Sequence, residues 1–274
     1  MIKKKSKIFV AGHKGLVGSA VVRRLKYHGF KNIITATKSK LDLTNQKTTL
    51  MYLKKNKPKY IIVCAAKVGG ILANDTLKGE FIYNNLQIQN NLIHGAFING
   101  IKNLIFLGSS CVYPRNCKQP IKEKYLLNGL LEKTNEPYAI AKIAGIKLCQ
   151  SLMIQHKFNA ISLMPTNLYG PGDNYHNINS HVIPSLIRKF HNAKIKKFDK
   201  VTCWGSGTPL REFLYVDDLA EACIFALNNW DITHKEAPLD SSMNKLAWLN
   251  VGSGKEISIK DLAAKISHLI GYEG

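Results

Sequence analysis

Up to Pro165 the chain alternates short, nearly continuous apolar runs with longer stretches in which apolar residues recur every three or four positions. The runs at residues 7–11, 32–36, 60–65, 104–108 and 160–164 are rich in Ile, Val, Leu and Phe. A strand covered on both faces reads this way, because neither side can be polar. Between them, residues 16–27, 46–55, 81–98 and 138–155 carry the helical repeat. In the first of these, Val17, Ala20, Val21 and Leu25 fall on one side. Strand and helix in strict alternation predict an α/β fold, a Rossmann-like doubly wound parallel sheet with helices on both faces.

Beyond Pro165 the alternation weakens. Residues 169–180 are dense in Gly, Pro, Asn and His, as a substrate-facing loop would be. A helix over 181–190, a strand over 211–216, helices over 217–227 and 258–270 and an exposed connection over 231–245 complete the expected elements. The organisation expected is a dinucleotide-binding unit over 1–168, joined by elements returning from the C-terminal part, and a smaller substrate lobe over 169–274.

Composition changes this picture little. No apolar run nears the roughly 20 residues of a membrane helix. Behind the basic start, Ile8-Phe9-Val10-Ala11 is shorter than the about 7–15 residues of a signal-peptide core, so a cytoplasmic protein is expected. Six cysteines, at 64, 111, 117, 149, 203 and 223, form no CxxC pair and suit a reducing compartment; no metal set is expected. The formal charge of +21 comes mainly from lysines spread through surface-like segments, since only Arg23, Arg24, Arg115, Arg188 and Arg211 are arginine. Without clustering or interleaved aromatics this predicts a solvated surface that attracts anionic nucleotides, not a nucleic-acid partner.

Candidate chemistry begins directly after the first run, at Gly12-His13-Lys14-Gly15-Leu16-Val17-Gly18. Glycines there permit a tight turn and close backbone approach to a pyrophosphate, and free N–H groups at a helix start add partial positive charge. The end of the second run decides between nicotinamide cofactors. Where NAD enzymes usually place a carboxylate on the ribose hydroxyls, this chain has Ala36-Thr37-Lys38-Ser39-Lys40. With Lys14 and Lys38 as candidate partners of a 2′-phosphate, NADP(H) is expected. Asp42, before Leu43, can accept from the adenine amino group.

Tyr138 and Lys142 stand four apart on an expected helix and share a face. An ammonium beside a phenol favours its ionisation, so the tyrosine can exchange a proton with a carbonyl or alcohol oxygen. Tyr27 and Lys31 have the same spacing, but they close the first helix. Tyr138 and Lys142 open the helix after the fourth strand, which runs into Gly108-Ser109-Ser110-Cys111-Val112-Tyr113 and offers a serine hydroxyl nearby.

Glycine loop, strand-end serine and YxxxK in this order resemble the extended short-chain dehydrogenase/reductase family. Five segments are similar to its GDP-L-fucose synthase branch: Ala65-Ala66-Lys67-Val68-Gly69-Gly70, Gly108-Ser109-Ser110-Cys111, Asn135-Glu136-Pro137-Tyr138-Ala139-Ile140-Ala141-Lys142, Met164-Pro165-Thr166-Asn167-Leu168-Tyr169-Gly170 and Asn179-Ser180-His181-Val182-Ile183-Pro184. The resemblance implies epimerisation at C3 and C5 of a GDP-4-keto-6-deoxyhexose, followed by reduction at C4 with NADPH. It implies Cys111 as the base, His181 as the acid on the opposite face, and Ser109 and Tyr138 as donors to the enolate oxygen. Lys142 would hold Tyr138 and the nicotinamide ribose. It further implies that Leu16, Val17, Leu43, Leu107, Gly108, Ser109, Pro165, Thr166, Asn167, Leu168 and His181 line the cofactor. Lys189, Trp204 and Arg211 would grip the GDP-sugar, Arg211 through a guanidinium suited to a diphosphate, while Trp204 either stacks or packs. A homodimer through a four-helix contact of 81–98 and 138–155 is also implied.

One departure bears on the lobe. Family members carry a D-G-T-P-R-K-like segment beyond the position where this chain reaches Gly274, so a shortened substrate lobe is expected, with the cofactor half unaffected. Two other readings stay open: a related sugar-nucleotide epimerase or dehydratase with no net redox change, and an NADP-binding protein without turnover.

Overall fold

The computed structural model describes residues 2–177, 180–231, 233–236, 239 and 243–274. Asn179, at the head of one family-like segment, and parts of the 231–245 connection lie outside the described residues; within that connection Leu239 and Lys245 form an isolated antiparallel bridge.

The elements in chain order are β1 (Ile8–Ala11), α1 (Leu16–Tyr27), β2 (Ile33–Ile34), α2 (Gln46–Asn56), β3 (Tyr60–Val63), α3 (Ile71–Thr76), α4 (Lys78–Ile98), β4 (Asn103–Leu107), α5 (Glu136–His156), β5 (Asn159–Pro165), β6 (Asn167–Tyr169), α6 (Val182–Lys196), β7 (Leu210–Tyr215), α7 (Val216–Asn229), β8 (Trp248–Val251), β9 (Glu256–Ser258) and α8 (Ile259–Ile270). Six strands make one parallel sheet in the order β2-β1-β3-β4-β5-β8. The chain leaves β1 toward β2 and returns to place β3 on its other side. The carboxyl ends of β1 and β3 thus flank the crevice where such sheets bind ligands.

Both faces of this sheet are buried, and the pleat sorts the side chains. Phe9 and Ala11 join a core with Leu53, Leu92, Ile146 and Cys149, from the helices on one face. Ile8 and Val10 join another with Val21, Leu25, Leu219 and Cys223, from α1 and α7. Period-2 alternation between two apolar layers explains why the runs read as uninterrupted hydrophobes. Arg23 pairs with Asp217, and Arg24 and His28 with Glu221, so α7, far along the chain, is also clamped to α1 by charge. A smaller sheet, β6-β7-β9, packs with α6 and α8 around Leu186, Phe190, Leu262 and Ile266. Among the described residues no helix is long and apolar enough to cross a membrane.

The differences from the expected elements have local causes. The second strand holds only Ile33–Ile34, because it pairs on one side alone and its continuation is polar and partly exposed. The helix expected at 181–190 runs six residues further, to Lys196, through Ala193 and helix-tolerant lysines, and stops where Lys197 turns left-handed at φ 54°. His181 is its N-cap, outside the first turn. Four short elements, α3, β6, β8 and β9, were not expected. α3 is a single turn and a half whose start is held by Asn74, which donates to the Gly69 and Gly70 carbonyls at 2.8 and 3.1 Å.

Candidate active site

The glycine loop lies where β1 gives way to α1. Gly12 has φ +85°, and a Cβ there would sit 2.6 Å from the Ala65 backbone nitrogen, behind β3. A Cβ at Gly18 would overlap the Gly12 carbonyl, with the carbonyl carbon only 2.6 Å away. Gly15 differs: its Cβ would meet the Gly12 carbonyl oxygen at an ordinary 3.5 Å. The first and third glycines thus hold the loop against its own fold, while the second leaves its outer side clear. Gly15 is the N-cap of α1, with no side-chain cap and no acidic residue in the first turn, so the helix start keeps its positive end open.

Lys14 and Lys38 are exposed and Leu16, Val17 and Leu43 half-buried near this loop and the following segment. Asp42 accepts from Thr44 Oγ1 at 2.7 Å and from Thr44 N at 2.9 Å. These bonds hold its carboxyl below the usual range, the Thr44 hydroxyl most, with Lys38 adding to the effect. A carboxylate and a lysine therefore stand close at the loop that follows β2. The segment after β5 contributes buried Pro165, then Thr166, whose Oγ1 is buried without a hydrogen-bond partner among the described residues. Asn167 donates to the Glu212 carbonyl at 2.9 Å and starts β6, with Leu168 half-buried behind it. An open helix start, a cradle that side chains would fill and a free hydroxyl at the sheet's carboxyl edge all fit a dinucleotide.

The second group converges at the end of β4. Gly145 brings α5 close, since a Cβ there would be 2.6 Å from the Phe106 ring. That approach carries Lys142, only 3% exposed, over Phe106 at 4.8 Å and lets its Nζ donate to the Leu107 carbonyl at 2.7 Å. The same Nζ lies 5.7 Å from the centre of the Tyr138 ring, one turn earlier on α5. Tyr138 is half-buried, edge-on to Phe81 at 6.4 Å. After β4, Gly108 donates to the Leu163 carbonyl at 2.9 Å, then a short 3-10 turn over Ser110–Val112 presents half-buried Cys111. Ser109 Oγ accepts from the Cys111 N–H at 3.4 Å.

These groups feel one another. Burial pushes the Cys111 thiol up to about 11, while the Ser109 hydroxyl and the Lys142 charge pull it back. Burial raises the Tyr138 phenol well above its ordinary value, and Cys111 adds to this. Burial lowers Lys142 to about 8, against the pull of Cys111 and Cys64. A thiol, a phenol and an ammonium thus share one weakly solvated spot, as proton-transfer sites do.

The structure brings Ser109, Cys111, Tyr138 and Lys142 together. It leaves His181 exposed at the N-cap of α6, where its charge reaches Asp173, whose carboxyl burial raises. Among the described residues no hydrogen bond or ring contact joins His181 to Cys111 or Tyr138. In the lobe, Lys189 and Trp204 meet: Lys189 Nζ is 4.9 Å from the Trp204 ring centre and donates to the Thr202 carbonyl at 2.9 Å. Trp204 is 76% exposed even with Lys189 over its ring, which leaves most of the ring open for stacking and disfavours a packing role. Arg211 is exposed on β7 and donates to the Leu210 carbonyl at 2.7 Å.

Sequence reasoning did not find Tyr113, Glu123 or Asn250, which tie the Cys111 turn to β8. The one available signal was the apolar run Leu246-Ala247-Trp248-Leu249, which reads as a buried strand if extended to Val251.

Residues 8–237 match the NAD dependent epimerase/dehydratase family. GDP-L-fucose synthase 1 of Arabidopsis thaliana is 53% identical over 274 residues, covering 100% of this chain and 81% of the relative. GDP-L-fucose synthase of Escherichia coli is 47% identical over 270 residues, covering 98% and 83%. Among solved structures, MlghC, the GDP-mannoheptose C4 reductase from Campylobacter jejuni with NADP bound, superposes with a TM-score of 0.89 at 36% identity, covering 100% of this chain and 88% of that one.

Proposed function

Since the chain belongs to the NAD dependent epimerase/dehydratase family, and within it to the GDP-L-fucose synthases of the extended short-chain dehydrogenase/reductase type, we propose that its residues carry out the two stages of that reaction on one bound GDP-sugar. GDP-4-keto-6-deoxy-D-mannose is epimerised at C3 and C5, then reduced at C4 to GDP-L-fucose. The observation that carries this reading is the convergence of Cys111, Tyr138 and Lys142 at the end of β4, because epimerisation needs a base beside a ketone and reduction needs a proton donor at its oxygen.

Cys111 takes the proton from the carbon next to the ketone, and the electron pair moves onto the oxygen as an enolate. Ser109 and Tyr138 donate to that oxygen. His181 returns a proton to the opposite face once the sugar brings it into register. Tyr138 then protonates the C4 oxygen, with the Lys142 ammonium, held by the Leu107 carbonyl, lowering the cost of the phenolate left behind. Bound NADPH supplies the hydride for this last stage. Gly12, Gly15, Gly18 and the start of α1 would hold its pyrophosphate, Lys14 and Lys38 its 2′-phosphate, Asp42 its adenine, and Lys142 and His181 its nicotinamide half. Leu16, Val17, Leu43, Leu107, Gly108, Pro165, Thr166, Asn167 and Leu168 would line the cleft. Lys189, Trp204 and Arg211 would bind the GDP portion.

We read residues 1–168, with α7 and β8, as the cofactor unit and 169–274 as the substrate lobe. A homodimer through α4 and α5 is supported by outward apolar side chains on helices already buried on their inner faces: Tyr83 on α4, and Ile140 and Ile154 on α5, are exposed. Six free cysteines suit the cytoplasm.

The test is to mix the protein with NADPH and GDP-4-keto-6-deoxymannose and identify the product. Loss of the nicotinamide absorbance that requires this sugar, with GDP-L-fucose formed, is expected; conversion of a sugar nucleotide with no NADPH consumed would favour a redox-neutral epimerase. Cofactor choice has its own check. Lys38→Asp should shift preference from NADPH toward NADH by about 10-fold or more, the loss of one charge-assisted contact, read as the ratio of kcat/KM values for the two cofactors. An unchanged ratio would remove Lys38 from the 2′-phosphate site.

A further inference from the structure

Asn250, on the last strand of the parallel sheet, is bonded to the segment that follows Cys111 at three points. Its Oδ1 accepts from Tyr113 Oη at 2.6 Å, its Nδ2 donates to the Ile121 carbonyl at 3.1 Å, and its backbone N–H donates to Glu123 Oε1 at 2.9 Å. Two residues earlier, on the same strand face, Trp248 Nε1 donates to the Glu123 carbonyl at 3.2 Å. Tyr113 is 4% exposed and packs in the same core as Trp248. Burial, and then the Glu123 carboxylate, raise its phenol, so the hydroxyl stays a neutral donor. Tyr113 also closes the 3-10 turn that presents Cys111, its N–H donating to the Ser110 carbonyl at 3.3 Å.

The other end of that turn is fixed by β4 and by the Gly108 bond to Leu163. Between the two anchors lie Ser109, Ser110, Cys111 and Val112. An amide at position 250 is the group the geometry requires, since it must accept from a phenol and donate to a carbonyl at once. A carboxylate would lose the donor and stand beside Glu123; an aliphatic side chain would lose both bonds.

We propose that Asn250 and Tyr113 are positioning residues for the epimerisation stage: the Tyr113–Asn250 bond, anchored by β8 and Glu123, fixes where the Cys111 thiol sits relative to the sugar. The inference rests on Cys111 being the base that removes the sugar proton. Neither residue touches the substrate; both act through the turn. Proton abstraction depends steeply on the distance and angle between thiol and carbon, whereas the proposed cofactor contacts lie mostly in the loop after β1 and the segment after β5, and Leu107 and Gly108 are held by β4 and the Leu163 bond whether or not the turn loosens. Loosening the turn should therefore weaken the first stage selectively.

The experiment follows deuterium uptake at sugar C3 and C5 from D2O, using the full chain and GDP-4-keto-6-deoxymannose without NADPH. NADPH affinity is measured separately by fluorescence. Asn250→Ala and Tyr113→Phe, the latter keeping the ring that fills the core, should each slow uptake by about 10- to 100-fold, with NADPH affinity within about twofold of the parent. The double variant should be little slower than Asn250→Ala alone, because that variant already removes the Tyr113–Asn250 bond. Cys111→Ser is run alongside and should abolish uptake. If it does while Tyr113→Phe exchanges like the parent, the positioning role is overturned and the base assignment survives. If Cys111→Ser itself exchanges like the parent, the base assignment fails and the positioning role with it. Should Asn250→Ala fold poorly, the uptake rate of Tyr113→Phe decides.

Discussion

Replacing Gly18 with alanine is expected to abolish measurable NADPH binding and to lower the melting temperature by several degrees. The added methyl would overlap the Gly12 carbonyl, whose carbon would be 2.6 Å away, and lie 2.8 Å from the His13 Cα, and these are backbone atoms with no rotamer to escape into. Helix α1 would have to move off the loop. Overpacking of this kind costs about 1–3 kcal/mol, and the displacement would spoil the helix start whose N–H groups are proposed to meet the pyrophosphate. Gly15→Ala provides the contrast. Its methyl would make only a 3.5 Å contact at an ordinary backbone angle, φ -78°, so this variant should melt like the parent and yet bind NADPH at least about 10-fold more weakly, because the pyrophosphate is proposed to approach its outer side. Calorimetry and a fluorescence titration of the two variants separate folding from binding. A Gly15→Ala protein that binds NADPH as the parent does would mean the loop holds no phosphate.

The other large effect concerns the division of labour at the end of β4. Tyr138→Phe keeps the edge-on contact with Phe81 but removes the proton donor, so C4 reduction should fall by about 10²- to 10⁴-fold while proton exchange at C3 and C5 falls far less. Cys111→Ser should do the reverse. A serine hydroxyl is a much weaker acid than a thiol already pushed up to about 11, so it has no accessible basic form, and exchange should drop at least about 100-fold. Rapid mixing with NADPH measures one stage and mass spectrometry of the sugar in D2O the other. Two variants that both exchange and reduce like the parent would refute the assignment of roles to this pair.

Which parts of this site could be read from the sequence follows from how far each signal extends along the chain. The glycine loop was legible because its order is local: strand, turn and helix start occupy consecutive residues, and a methyl at Gly18 would strike the Gly12 carbonyl of the same turn; the close approach of the Ala65 backbone to Gly12, 53 residues on, was not legible. Tyr138 and Lys142 were legible because a helix puts residues four apart on one face, and the structure sets the Lys142 Nζ 5.7 Å from the Tyr138 ring centre. The parallel sheet was legible because strands buried on both faces must be apolar throughout. Cys111 was singled out only through its flanking residues, since a thiol after a strand is otherwise read as packing.

What the chain order does not carry is which distant segments meet. No spacing rule links Tyr113 to Asn250, 137 residues on, or Arg24 to Glu221, 197 residues on; those contacts exist because α7 and β8 return to the sheet after the lobe is complete. Nor could the sequence say that burial would bring Lys142 down to about 8, since that value comes from the Phe106 ring and the carboxyl end of β4 closing around an ammonium. The sheet, the loop and the residue types able to move a proton are written in the order of residues along the chain. Tertiary structure decided which of them stand together and how their acidity is set, because desolvation and side-chain hydrogen bonds depend on distance in space and not on separation along the chain.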